Sequence, residues 1–225
     1  MIRLQDVRKS FSTGGSRKVV AGNINAVFPT GVAVALLGRN GAGKSTLLQM
    51  IAGTMEPDFG MITSTGSISW PVGFAGSFHR DLTGAQNTRF VARVYGIDTD
   101  ALSAFVEDFA ELGDHFHMPL RTYSAGMKSR LSFGVSMGIR FDTYLIDEVT
   151  AVGDAAFKQK SSEVFLERLR SSGAILVSHG MAKVRELCTA GAVLEDGILT
   201  YFDDVEEAIR QHQQNMGAAG DGEDG

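Results

Sequence analysis

Apolar and polar residues alternate at the start of the chain. Ile2 and Leu4 are separated by Arg3 and Gln5, and Val7 follows, which predicts an edge-like strand with one buried face. Gly14-Gly15-Ser16 predicts a turn ahead of Val19-Val20, and Ile24 to Phe28 a second strand ended by Pro29. Val32 to Leu37 is an unbroken apolar run, as in a strand buried on both faces. It leads through a glycine-rich stretch into a helical segment, Ser45 to Ala52, stopped by Gly53. From about 80 to 141 the period becomes helical. Thr83 with Gln86 forms a capping box ahead of Phe90, Val91 and Val94. Leu102, Phe105, Val106, Phe109 and Leu112 make an apolar stripe, and Ser124 precedes a further helix through Leu131 and Val135. Two more buried strands are expected at Tyr144 to Ile146 and Ala174 to Val177, and a hairpin turn at Asp196-Gly197. There is no internal repeat. The pattern predicts a single α/β domain over 1–216, with an α-helical subdomain inserted at about 80–141 and a disordered tail at 217–225.

Composition narrows the class. The 225 residues suit one large α/β domain, and 44% hydrophobic with 21% charged residues is globular usage. A net charge of −5 offers no basic field for nucleic acid or an anionic lipid surface, so no nucleic-acid partner is expected. Cys188 is the only cysteine, which suits a reducing compartment. The charged segment Met1 to Ser10 has no apolar core of a secretory signal. The longest apolar run, Val32 to Leu37, falls far short of the ~20 residues of a spanning helix. The chain is therefore expected to be soluble by itself, and any transport role to need a separate membrane subunit.

The chemistry lies at the strand ends. Gly38-Arg39-Asn40-Gly41-Ala42-Gly43-Lys44-Ser45 fits the P-loop pattern, with a buried strand before it and a helix after it. Glycines let backbone N–H groups turn inward toward an anion, and the helix start adds its positive end. Lys44 supplies a charge for β- and γ-phosphates, Ser45 a hydroxyl for Mg²⁺, and Thr46 continues the cradle. Such a loop binds nucleotide in kinases, GTPases and motors alike. Tyr144-Leu145-Ile146-Asp147-Glu148 is more selective, a buried strand ending in two carboxylates. Asp147 can orient Mg²⁺ through water, and Glu148 can polarise a water for attack on the γ-phosphate. His115 and His117 flank Phe116 without further ligands nearby and read as loop residues, while Met127 and Met137 read as packing residues.

With these motifs in order, the chain resembles ABC ATPases over about Met1 to Gln211. Tyr123-Ser124-Ala125-Gly126-Met127 resembles the family signature, usually Leu-Ser-Gly-Gly-Gln. The resemblance implies a P-loop NTPase fold: a RecA-like core with an antiparallel β portion and the inserted helical subdomain. It implies that His179, closing Val177-Ser178-His179, contacts the γ-phosphate, that Gly153-Asp154 is a D-loop, and that Phe11 stacks on adenine. It also implies that Ser124, Ala125 and Gly126 close on the ATP of a second copy, so that two ATP molecules are sandwiched in a dimer. One departure stands out: where the family carries a glutamine ahead of the helical subdomain, this chain has His79. His79 cannot be assumed to coordinate Mg²⁺ as a glutamine carbonyl would, and is expected to couple the nucleotide to a membrane subunit. Soluble ABC ATPases acting on nucleic acid carry a coiled-coil insertion or two ATPase domains, and this chain has neither.

A narrower resemblance rests on Ile68-Ser69-Trp70-Pro71-Val72-Gly73-Phe74-Ala75-Gly76-Ser77-Phe78, on Phe105-Val106-Glu107 through Ala110-Glu111-Leu112-Gly113, and on Asp147-Glu148-Val149-Thr150-Ala151-Val152-Gly153-Asp154. These segments resemble capsular-polysaccharide export ATPases of Gram-negative bacteria. Exporters of O-antigen and teichoic acid share the Phe-His pattern at Phe78-His79. The resemblance implies an integral-membrane channel partner, a lipid-linked acidic polysaccharide cargo and, indirectly, periplasmic and outer-membrane export components. The implied location is peripheral, on the cytoplasmic face of the inner membrane. The short polar stretch after Gln211 leaves no room for the C-terminal sugar-binding domain of some O-antigen exporters.

Overall fold

The computed structural model describes residues 1–73, 78–147 and 155–220. Its described residues form two compact units. The first holds two sheets. β1 (Ile2–Thr13) lies in the middle of a three-stranded sheet, between β2 (Ser16–Phe28) and β4 (Phe59–Ser64), antiparallel to both. The edge-like position predicted for β1 is therefore corrected to a central one. The reason is that β4 is largely exposed, so its residues carry no burial pattern to announce a third strand. Asp6 sits at φ 52°, where the register shifts between Leu4 and Val7. That bulge resets the alternation, which is why Leu4 and Val7, three positions apart, are both buried.

The second sheet has the order β5-β6-β7-β3-β8-β9. In it β5 (Ile68–Pro71), β6 (Thr143–Asp147), β7 (Gly173–Val177), β3 (Ala33–Leu37) and β8 (Ala190–Glu195) run parallel. β9 (Ile198–Phe202) closes the edge antiparallel to β8 through the predicted turn, with Asp196 and Gly197 both at positive φ. α1 (Lys44–Ile51) packs against β2 of the first sheet and β5, β6 and β7 of the second. Leu47, Leu48, Met50 and Ile51 join Ile2, Val7, Phe28, Val34 and Leu145 in one core. Full burial of each such side chain contributes about 1.5–3 kcal/mol before chain entropy is set against it. α6 (Met181–Leu187) follows β7, and α7 (Val205–Gly220) lies along β8 and β3. Residues 217–220, expected to open the disordered tail, instead continue α7. Residues 221–225 lie outside the described residues.

The helical unit holds α2 (Gly84–Val94), α3 (Thr99–Ala110), α4 (Ala125–Gly138) and α5 (Ala155–Arg170). The capping box forms as predicted: Thr83 accepts from the Gln86 N–H and Gln86 accepts from the Thr83 N–H. α5 follows β6 in sequence and extends the unit beyond the predicted span of about 80–141. Its Phe157 meets the Phe109 ring edge-on at 5.4 Å and lies under the Arg130 guanidinium, while Lys160 pairs with Glu111 at 2.8 Å. Those contacts tie α5 to α3 and α4. Among the described residues no helix is long and apolar enough to cross a membrane.

Candidate nucleotide site

β3 delivers the chain into the 38–43 loop, and α1 leaves it. Glycine is required at two of its positions. A Cβ at Gly38 would overlap the Leu194 carbonyl oxygen, and one at Gly43 would overlap the Val20 side chain; both residues also hold positive φ. β8 and β2 thus press the loop from outside while its backbone curls. Gly43 caps α1 without a side-chain hydrogen bond, and no acidic residue stands in the first turn, so the helix start is left open to an anion. The Lys44 ammonium donates to the carbonyl oxygens of Gly38 and Arg39.

The parallel register brings the other groups to the same sheet edge. Asp147 is the partner of Val177, so the ends of β6 and β7 lie level, with His179 just past β7. Asn40, Gly41, Gly43, Lys44, Ser45, Thr46, Asp147 and His179 line one cavity of about 370 Å³, together with Phe11, Lys18, Val20 and Val177. Phe11 is 39% exposed, and the Lys9 ammonium lies 5.6 Å from the centroid of its ring. Arg39 and Ala42 line a second cavity with Lys18, Asn40, Gly41, Glu195 and Asp196. Lys18 and Val20 carry no motif in the sequence. Their only signal is strand register, since Lys18 stands directly opposite Phe11.

Behind the loop, His212 of α7 has a buried Nδ1 without a hydrogen-bond partner, and Glu195 a buried Oε2 in the same condition. Burial holds the His212 pKa below the usual histidine value; the nearby Lys44 ammonium lowers it further, Glu195 opposes, and His179 adds a smaller lowering. Cys188, the buried residue that ends α6, has its thiol pushed up to about 12 by burial and is no nucleophile.

Other predicted residues lie elsewhere. Ser124, Ala125 and Gly126 are exposed in the helical unit; Ser124 caps α4 by accepting from the Met127 N–H at 3.2 Å, and Ala125 and Gly126 form its first turn. His79 also belongs to that unit. Its N–H donates to the buried Asn87 side chain at 2.8 Å, and Asn87 donates back to the carbonyl oxygens of His79, Leu82 and Thr83. Glu148 and Asp154 lie outside the described residues.

A glycine-rich loop at the carboxyl edge of a parallel sheet, with a carboxylate ending one nearby strand, a histidine just past another and an aromatic residue from an antiparallel hairpin, defines a nucleoside-triphosphate-hydrolysing cassette. The ABC transporter family matches residues 21–151. The polysialic acid transport ATP-binding protein KpsT of Escherichia coli is 46% identical over 216 residues, covering 95% of this chain and 96% of that protein. The capsule polysaccharide export ATP-binding protein CtrD of Neisseria meningitidis serogroup B is 42% identical, covering 94% and 98%. An O-antigen export system ATP-binding protein of Klebsiella pneumoniae is more distant, at 35% over 93% of this chain and 87% of its own. The dimeric post-hydrolysis ATP-binding cassette MJ0796 bound to ADP and Pi shares the fold, with a TM-score of 0.73 at 18% identity, covering 91% of this chain and 99% of that one. The chain belongs to the ABC transporter family and is an ATP-binding, ATP-hydrolysing subunit.

Proposed function

We propose that this chain is the ATPase subunit that drives export of a capsular, lipid-linked acidic polysaccharide. It would sit on the cytoplasmic face of the inner membrane beneath an integral-membrane channel subunit. The observation that carries the cargo is the identity of 46% and 42% to polysialic acid and capsule export subunits over nearly the whole chain, against 35% to the O-antigen protein.

In this reading Phe11 stacks on adenine while the 38–46 loop and α1 hold the phosphates. Glu148 takes a proton from a water whose oxygen attacks the γ-phosphorus; the bond to the β-phosphate oxygen breaks, and ADP and phosphate result. His179 steadies the γ-phosphate. Ser45 and Asp147, both hard oxygen donors lining one cavity, fit Mg²⁺, which when bound offsets charge on the phosphate oxygens. Ser124, Ala125 and Gly126, at the open start of α4, would reach the ATP of a second copy, with Asp154 beside it. ATP binding favours the closed pair, and hydrolysis releases it. α2 and its C-cap leave Phe90, Val94 and Tyr95 exposed, an apolar surface suited to the channel subunit, and His79 would carry the nucleotide state toward it.

The test is deletion of the gene in its host with a Glu148→Gln complement, followed by fractionation for long-chain acidic polysaccharide. Polysaccharide held inside the cell, and not rescued by the complement, supports capsule export. Normal surface polysaccharide refutes the cargo and leaves the ATPase in place.

A further inference from the structure

We infer that Lys18 is a nucleotide-binding residue, a second cation that meets the phosphate chain of ATP from the outer side of the loop. The inference rests on the reading of the 38–46 loop as the ATP site. In the β1–β2 hairpin Lys18 is the direct cross-strand partner of Phe11, and residues so paired project from the same face. Both line the cavity that also holds Lys44, Ser45 and Asp147. The Lys18 ammonium stands over the loop backbone, 3.2 Å from where a Cβ on Gly41 would lie. It is thus set between the ring expected to carry the base and the loop expected to carry the phosphates.

The state of this charge sets it apart from its neighbours. Lys9 is held by Asp58 and the Glu56 carbonyl, and Lys44 by two loop carbonyls. Among the described residues the Lys18 ammonium makes no hydrogen bond and no ion pair, although Glu195 and Asp196 line the neighbouring cavity with it. An exposed lysine without an anion, placed over a polyphosphate cradle, gains a partner when nucleotide arrives. A triphosphate carries more charge than Lys44 and one helix end offset, so a second cation adds binding energy. Solvent screening keeps the gain modest, about three- to fivefold in affinity.

Equilibrium dialysis of the full chain with radiolabelled ATP and adenosine tests the inference, using wild type, Lys18→Gln, Lys18→Arg and Lys44→Ala. The expected result is a three- to fivefold rise in the Kd of Lys18→Gln for ATP, on the order argued above, with adenosine unaffected, a shallower salt dependence, and recovery in Lys18→Arg. Equal ATP affinity in wild type and Lys18→Gln overturns it. So does a proportional loss for adenosine, which would mean damage to the hairpin under Phe11. Failure of wild type to bind ATP, or wild-type binding by Lys44→Ala, would remove the ATP site itself and the inference with it.

Discussion

The Lys44 ammonium lies 2.7 Å from the Gly38 carbonyl oxygen, donating back across the loop that it closes. A cation held this way is positioned before any phosphate arrives, so little ordering entropy remains to be lost on binding. Lys44→Ala removes a charge-assisted partner worth about 1.5–3 kcal/mol, which corresponds to a rise in the Kd for ATP of about ten- to a hundredfold. Calorimetric titration measures it. An unchanged Kd would mean that ATP is held elsewhere than in this loop.

Glu148 follows directly on Asp147, whose carboxylate lines the cavity. Its expected work is proton transfer in the transition state rather than binding. Glu148→Gln keeps the size and loses the base, so kcat falls by about 10²- to 10⁴-fold. The Kd for ATP should stay close to wild type. A parallel loss of binding would reassign Glu148 to holding the nucleotide.

Much of this site was legible because buried parallel strands leave short, unbroken apolar runs. Val32 to Leu37, Tyr144 to Ile146 and Ala174 to Val177 were readable in that way, and the candidate site residues of the loop, β6 and β7 follow them in sequence. β4 was not readable, since Phe59 and Met61 are exposed at 60% and 56% and only Ile62 of the strand is partly buried, too little for a pattern. α5 hid for a different reason: its buried Phe157, Ser161 and Phe165 recur every fourth residue, but a serine interrupts the apolar stripe among many charges. Lys18 could not be found by pattern at all. A lone exposed lysine gains meaning only from its register with Phe11 and its closeness to Gly41.

His212 provides a pH test of the loop's support. Its folded pKa lies below the unfolded value of about 6.5, so the unfolded chain binds more protons as pH falls. The stability linked to the neutral imidazole is fully present above that value and is lost as pH drops through the folded pKa. Melting curves should therefore show the wild type losing stability below about pH 6.5 more steeply than His212→Gln. Superimposable pH profiles would show that His212 titrates alike in both states.

Ser124 has two separable jobs, and one substitution can part them. Its Oγ caps α4 by accepting from the Met127 N–H, a contact worth about 1 kcal/mol that alanine would forfeit. A loss of activity in Ser124→Ala would therefore be ambiguous. Aspartate caps a helix as well as serine does and suits the positive helix start. Ser124→Asp should thus hold the melting temperature near wild type. Yet it places a carboxylate where the γ-phosphate of a second copy's ATP is proposed to arrive, and the like charges oppose closure. Sizing with ATP in the hydrolysis-deficient Glu148→Gln background should show a dimer that disappears once Ser124→Asp is added, with ATP binding by the single chain retained. A dimer that persists, at unchanged ATP affinity, would leave Ser124 as a helix cap and nothing more.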